Sequence, residues 1–249
     1  MDLGIAGRVA LVTGASKGLG RGIAAALVAE GAQVAITSRS RERVEQTAQE
    51  IGASAFVHDS ADLDAVPGLT QAVADRLGPI DILVTNTGGP PAGPDPLGFP
   101  REQWEAAYRD LVLFPMALID QVAPGMAERR WGRILNVSSI AVREPLDPLM
   151  LSNVHRAGTL AGFKTISRRL ARDNVTLNSL LPGRIATDRL AQLHGSLENA
   201  EQAAASDVPA GRLGTVEEFA AAAAFLCSDR AGYITGSALP VDGGVLRSI

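Results

Sequence analysis

A single cysteine, Cys227, is the whole thiol content of this 249-residue chain. One cysteine forms no internal disulfide, which fits a reducing compartment, and the expected location is the cytoplasm. Aromatic residues are scarce at 4%, and only two of them are tyrosines, Tyr108 and Tyr233. No uninterrupted apolar run reaches the ~18 residues of a membrane-spanning helix, so no membrane segment is read. The start, Met1-Asp2-Leu3-Gly4, has no basic region followed by an apolar one, so no signal peptide is read. Charge is close to balanced, with a formal net charge of -4, and nothing resembles a nucleic-acid footprint. No residue grouping reads as a metal site. What the chain does have is a composition of 46% hydrophobic and 20% charged residues. That suits one globular α/β domain over residues 1–249.

The most telling segment is Thr13-Gly14-Ala15-Ser16-Lys17-Gly18-Leu19-Gly20. It follows the apolar run Val9-Ala10-Leu11-Val12 and precedes an alanine-rich helical stretch from Arg21 to Glu30, ended by Gly31. A second apolar run, Gln33 to Thr37, returns after that helix. Strand, glycine loop, helix and strand together hold a pyrophosphate: the glycines admit it, and free N–H groups at the helix start point at it. A lone glycine triplet would mark only a tight turn. In this context it predicts dinucleotide binding.

Further strands are expected at Ala55–His58, Ile80–Thr85, Arg133–Val137, Val175–Leu180 and Ala238–Val241. Near-continuous apolar runs of this kind belong to a parallel sheet covered on both faces. Helical patterns such as Arg41–Ile51 and Leu63–Leu77 alternate with them. The expected architecture is a doubly wound parallel sheet. The proline-rich segment Gly88–Pro100 fits neither helix nor central strand. It reads as a loop leaving the carboxyl end of the fourth strand, either a surface connector or a wall of the ligand crevice. The stretch 188–207 carries Leu190, Leu193 and Leu197 among polar residues and reads as an amphipathic helical lid.

In order and spacing these landmarks resemble the short-chain dehydrogenase/reductase family, particularly its 3-oxoacyl-ACP-reductase-like members, from about Gly7 to Gly244. Thr85-Asn86-Thr87-Gly88 stands where the family usually has Asn-Asn-Ala-Gly. Asn136-Val137-Ser138-Ser139 places the family's catalytic serine on Ser139. Asn178 to Gly183 ends in Pro182-Gly183, followed by Thr187, and in the family these touch the nicotinamide end of the cofactor. Arg212-Leu213-Gly214-Thr215, Tyr233-Ile234-Thr235-Gly236 and Asp242-Gly243-Gly244 also match. Thr215 with Glu218 additionally reads as a capping box. The resemblance implies a Rossmann fold, a small-molecule substrate and a homodimer or homotetramer.

The cofactor implied is NADP(H). An acid after the second strand would favour NAD, and this chain has Ser38-Arg39 there instead. Arg39 can pair with a 2′-phosphate, and Lys17 in the glycine loop adds a second charge. Asp59 resembles the family's adenine contact; its alternative is a helix N-cap. The cofactor set is thus Gly14, Ser16, Lys17, Gly18, Leu19, Gly20, Ser38, Arg39, Asp59, Asn86, Gly88, Arg156, Pro182, Gly183 and Thr187.

The resemblance breaks at the proton-delivery residues. The family carries Tyr-x-x-x-Lys beginning thirteen residues after the serine, where this chain reads Ser152-Asn153-Val154-His155-Arg156. The family's asparagine falls on Leu111. Neither Tyr108 nor Tyr233 replaces the missing tyrosine. A tyrosine, with a free pKa of about 10, can be tuned to give a proton; a serine hydroxyl cannot. Ser152 can still donate a hydrogen bond, and Arg156 can hold the ribose and supply positive potential. His155 has a suitable pKa for proton transfer, although an ordinary helix-surface or interface histidine is the preferred reading. Asp147-Pro148 reads as an N-cap and first helical residue, placing Ser152, His155 and Arg156 on one face. Arg143, Glu144 and Asp147 are further polar candidates near the substrate. The expected activity is an oxidoreductase interconverting a small carbonyl and a secondary alcohol with atypical proton delivery. The alternative is a degenerate NADP-binding sensor or scaffold.

Overall fold

Alternation along the first strand sets up both halves of the core. In β1 (Val9–Val12), Val9 and Leu11 enter one apolar cluster while Ala10 and Val12 enter the other. Successive side chains point to opposite faces, so a run that is apolar throughout must be covered on both. β2 (Gln33–Ser38), β3 (Ser54–Val57), β4 (Ile82–Thr85), β5 (Gly132–Val137), β6 (Val175–Pro182) and β7 (Ala238–Val241) complete the sheet. The computed structural model describes residues 1–248. Among them the seven strands are all parallel, in the order β3-β2-β1-β4-β5-β6-β7.

One face is covered by α1 (Gly18–Ala29), α2 (Arg41–Ile51) and α9 (Val216–Leu226), through Ile23, Leu27, Val44 and Phe219. The other is covered by α3 (Val66–Leu77), α5 (Phe114–Glu128) and α6 (Met150–Leu170), through Val73, Leu118, Met126 and Phe163. Such burial stabilises by about 25 cal/mol per Å2 of apolar surface.

α4 (Arg101–Tyr108) runs through a single π-helical turn, Arg109–Leu113, into α5. That 28-residue helix is long and apolar enough by composition to cross a membrane. Here its apolar side lies against the sheet, with Phe114, Leu118 and Met126 in the core.

The strand order reverses between β1 and β4. A crevice opens there beyond the carboxyl ends of the strands, the place where doubly wound sheets bind ligands. Gly88 to Pro100 leaves β4 without regular structure, as expected. The stretch 188–207 is two helices rather than one. α7 (Asp188–His194) stops at Gly195, whose φ of 82° is left-handed, and α8 (Leu197–Asp207) restarts on the Ser196 cap.

Two expected helix starts move. Asp147 is not the cap of the long helix: Asp147–Leu149 form a separate 3-10 turn, and α6 begins at Met150 without a side-chain cap. Asn153 ties the turn down instead, donating through Nδ2 to Leu146 O at 2.9 Å. The first helix begins at Gly18, inside the glycine loop. The Thr215–Glu218 capping box forms, and Arg212 grips the Glu218 carboxylate at 2.6 Å. Arg212 and the Thr215 N–H pull the Glu218 carboxyl down to about 2.

Candidate active site

The glycine loop is fastened to the end of β4 by one asparagine. Asn86 Nδ2 donates to Gly14 O at 2.9 Å and to Thr13 O at 3.3 Å, while its backbone N–H donates to Thr13 Oγ1 at 2.9 Å. The approach leaves no room for side chains. Gly14 has a φ of 57°, and a Cβ there would lie 2.6 Å from Asn86 O. A Cβ on Gly20 would lie 2.6 Å from Gly14 O. These two glycines therefore shape the loop itself.

The start of α1 is prepared for an anion. Lys17 precedes it without a side-chain cap, and no acid sits in its first turn. Its leading N–H groups thus lack the usual internal partners, which is the condition for holding a pyrophosphate. From this point a crevice of about 390 Å3 extends along the strand ends. Gly14, Ser16 and Lys17 line it on one side, Asn86 to Gly89 on another, and Ser38 and Arg39 at the far end. These residues suit the phosphates and the adenosine half of a dinucleotide.

The far end is more basic than the sequence suggested, because Arg43 on α2 joins Arg39 there. Arg39 and Arg43 are exposed, and neither pairs with a carboxylate among the described residues. Lys17 does have a partner, Asp188 at 2.9 Å. Both members of that pair are exposed, so the bond is worth only about 0–1 kcal/mol and yields readily to a phosphate.

Asp59 does not line the crevice. Nor does it cap a helix: its carboxylate accepts from the Ala61 N–H at 3.1 Å in a local turn, and α3 begins only at Val66, after Ala65. The flanking residues His58 and Ser60 line it instead. His58 stacks on Phe114 with ring centroids 5.3 Å apart, and burial holds its pKa below the usual histidine value. Asp110, in the π-helical turn, accepts from Ser60 Oγ at 3.0 Å, and burial raises its carboxyl. Arg43, His58, Ser60 and Asp110 carry no motif; only the folding of α2, β3 and the π turn around one cavity brings them together.

Ser139, Ser152, Arg156, Pro182, Gly183 and Thr187 do not line this crevice; Ser139 follows β5, the strand beside β4. Its Oγ accepts the Ala141 N–H at 3.1 Å, capping a 3-10 turn. A hydroxyl that accepts in this way keeps its own proton free to donate. Ser152 lies buried on α6, one turn before Arg156. Arg156 reaches the last residue of β5, donating through Nη1 to Val137 O at 2.7 Å. Burial, with Arg189 nearby, lowers its pKa to about 10, so it remains a cation at neutral pH. Thr187 caps α7, accepting from the Leu190 N–H, and Gly183 packs so tightly that a Cβ would meet Asp242 Cα at 2.6 Å.

Several candidates lie elsewhere. His155 does not share the Arg156 face. Its ring is buried between Trp104 and Tyr108, with centroids 5.6 and 6.1 Å away, and Nδ1 bonds Leu151 O at 2.7 Å. Consecutive helical residues point about 100° apart, which separates the two. Arg143 donates to Ala238 O, and Glu144 accepts the Arg247 and Ser248 N–H groups, which lower its pKa. Leu111 is buried, and its carbonyl accepts from Thr159 Oγ1 at 2.7 Å. Tyr233 is fully exposed. The Cys227 thiol is buried and pushed up to about 12, so it is no nucleophile.

Comparison with known proteins agrees with this geometry. Residues 14–246 match the family model described as Enoyl-(Acyl carrier protein) reductase. The chain belongs to the short-chain dehydrogenase/reductase family. It is an oxidoreductase. The NADPH-dependent reductase BacG of Bacillus subtilis is 32% identical over 97% of this chain and 99% of that protein. The 3-oxoacyl-[acyl-carrier-protein] reductase FabG of Vibrio cholerae is 34% identical over 98% of this short-chain reductase and 99% of its own length. The L-sorbose reductase of Gluconobacter frateurii, solved with NADPH and L-sorbose, superposes with a TM-score of 0.93 at 31% identity, covering 100% of both chains.

Proposed function

We propose that this short-chain reductase is NADP(H)-dependent and interconverts a small carbonyl compound and its secondary alcohol without a tyrosine proton donor. The observation that carries the cofactor choice is the pair Arg39 and Arg43, two cations with no carboxylate within 4 Å at the end of the crevice, Asp110 being a longer-range neighbour of Arg39. Guanidinium donors suit a 2′-phosphate, and an acid that would prefer the bare ribose is absent from that strand end. The reductases named above supply independent support.

Gly14, Ser16, Gly18, Leu19 and Gly20 with the α1 N-terminus hold the pyrophosphate. Asn86, Gly88, Pro182, Gly183 and Thr187 bound the nicotinamide half. When bound, NADPH supplies the hydride. Ser139 Oγ and Ser152 Oγ donate hydrogen bonds to the substrate oxygen, and Arg156 stabilises the negative charge growing on it. An arginine gives positive potential and keeps its proton, so water supplies the final proton to that oxygen. The 188–207 helices cover the substrate. A homo-oligomer and a cytoplasmic location complete this reading.

A second reading is an NADP-binding sensor. It is favoured by the replacement of the family's tyrosine and lysine by Ser152 and Arg156, which leaves no side chain there that gives up a proton. The test pairs direct titration of NADPH and NADH with NADPH consumption over a panel of ketones and aldehydes. The reductase reading expects tighter NADPH binding and measurable turnover. Tight NADPH binding with no turnover across the panel selects the sensor, and equal affinity for both cofactors removes the assignment to NADP(H).

A further inference from the structure

We propose that the substrate is an oxo acid, and that the guanidinium of Arg189 receives its carboxylate at the mouth of the crevice. The proposal rests on the carbonyl-reducing reading above and names the substrate class within it.

Arg189 is the second residue of α7. Its side chain crosses toward the loop after β4, where Nη2 donates to Pro90 O at 2.7 Å. The guanidinium lies directly over Gly89: a Cβ on that glycine would sit 2.9 Å from Nε. Gly88 and Gly89 close the crevice at the end opposite Arg39 and Arg43. Arg189 therefore stands where a substrate enters beside the nicotinamide, away from the end assigned to the 2′-phosphate.

The second half of the argument is a missing counter-ion. Arg189 and Arg156 are both partly buried, and neither meets a carboxylate within 4 Å among the described residues. Each makes one hydrogen bond to a backbone carbonyl, at Pro90 and Val137. A guanidinium has five N–H donors, so most remain free on each. Burial lowers both pKa values, and Arg189 is one of the causes for Arg156. Two like charges drawn partly out of water are unfavourable until an anion joins them. An oxo acid brings one anion as it binds and develops a second charge as its carbonyl is reduced. Arg189 suits the first and Arg156 the second.

The cofactor's own pyrophosphate offers the same phosphate-like chemistry to Arg189, so the experiment separates the two sources. Pyruvate, acetoacetate and levulinate, each beside its methyl ester, are titrated calorimetrically into the protein with and without saturating NADP+. NADPH affinity is measured in parallel for wild type, Arg189→Gln and Arg189→Lys. At least one acid is expected to bind about tenfold tighter than its ester, a preference lost in Arg189→Gln and partly kept in Arg189→Lys. NADPH affinity is expected to stay within about threefold of wild type. No acid binding better than its ester overturns the proposal. So does an Arg189→Gln protein that loses NADPH more than about tenfold while treating acids and esters as wild type does. The acid-to-ester comparison in wild type stands even if Arg189→Gln does not fold. Because binding is read without turnover, failure here is distinct from failure of the hydride-transfer reading, which would show as absent NADPH oxidation.

Discussion

Two arginines are attached to opposite ends of β5, and they are treated oppositely. Arg133 is the second residue of the strand, buried to 2% exposure. Three of its five donors are placed on carbonyls: Nε donates to Ser228 O at 2.9 Å, and Nη1 to Gly132 O at 2.9 Å and to Asn174 O at 3.1 Å. The Trp131 ring lies 4.5 Å from its guanidinium carbon, and Asp229 is 3.8 Å away. Arg156, at the carboxyl end, has Val137 O and another cation for company. An arginine tied to three carbonyls is a structural cross-link. One tied to a single carbonyl, at the end of the strand where ligands bind, is held ready for something that is not protein.

That contrast is broken first by Arg133→Met. Three buried carbonyls lose their donor, and the expected cost is about 3–5 kcal/mol, a fall in Tm of roughly 10 °C. A melting curve indistinguishable from wild type would show that Arg133 cross-links nothing. Arg156→Met should do the reverse. Removing a poorly compensated cation leaves Tm unchanged or slightly higher, while kcat/KM falls about 10²–10³-fold, as when an oxyanion donor is lost. Steady-state NADPH oxidation and thermal melting on the same preparation decide it.

The comparison is sharpened by restoring the family's pair. Ser152→Tyr with Arg156→Lys should raise turnover of simple ketones roughly tenfold, below the 10²–10⁴ of a full general acid because Leu111 stays in place. A slower double mutant would mean that Ser152 and Arg156 already form a competent alternative. At the phosphate end, Arg39→Asp should shift the NADPH-to-NADH affinity ratio toward NADH by about tenfold, with Arg43 limiting the loss. Titrating both cofactors against both proteins reads this directly. The smallest effect on catalysis belongs to His155→Ala. It should cost about 1–2 kcal/mol of stability through lost packing, with kcat within twofold of wild type; a large drop in kcat would return His155 to the mechanism.

The sheet was legible in the sequence because strands buried on both faces have no polar positions to blur them. The β1 run Val9–Val12 and the α2 helix Arg41–Ile51 are read off directly. The Asp147-Pro148 cap misled because proline fits the first residue of any helical turn, and here the turn is a short 3-10 one. Adjacent His155 and Arg156 looked like one site because sequence proximity hides a 100° rotation. Arg43 and Arg189 were invisible for a different reason. What marks them is the absence of a neighbouring acid, and absence of a neighbour is a property of the folded chain alone.

The knot at Asn86 has a mechanical consequence. It welds the glycine loop to β4, so those two walls of the crevice move as one. α7 is attached to these walls by the exposed Lys17–Asp188 pair and by the partly buried Arg189–Pro90 hydrogen bond. The exposed ion pair is weakened by salt, the partly buried hydrogen bond to a carbonyl much less so. Salt therefore loosens the tie between α7 and the glycine loop first, while the hydrogen-bonded knot at Asn86 is left undisturbed.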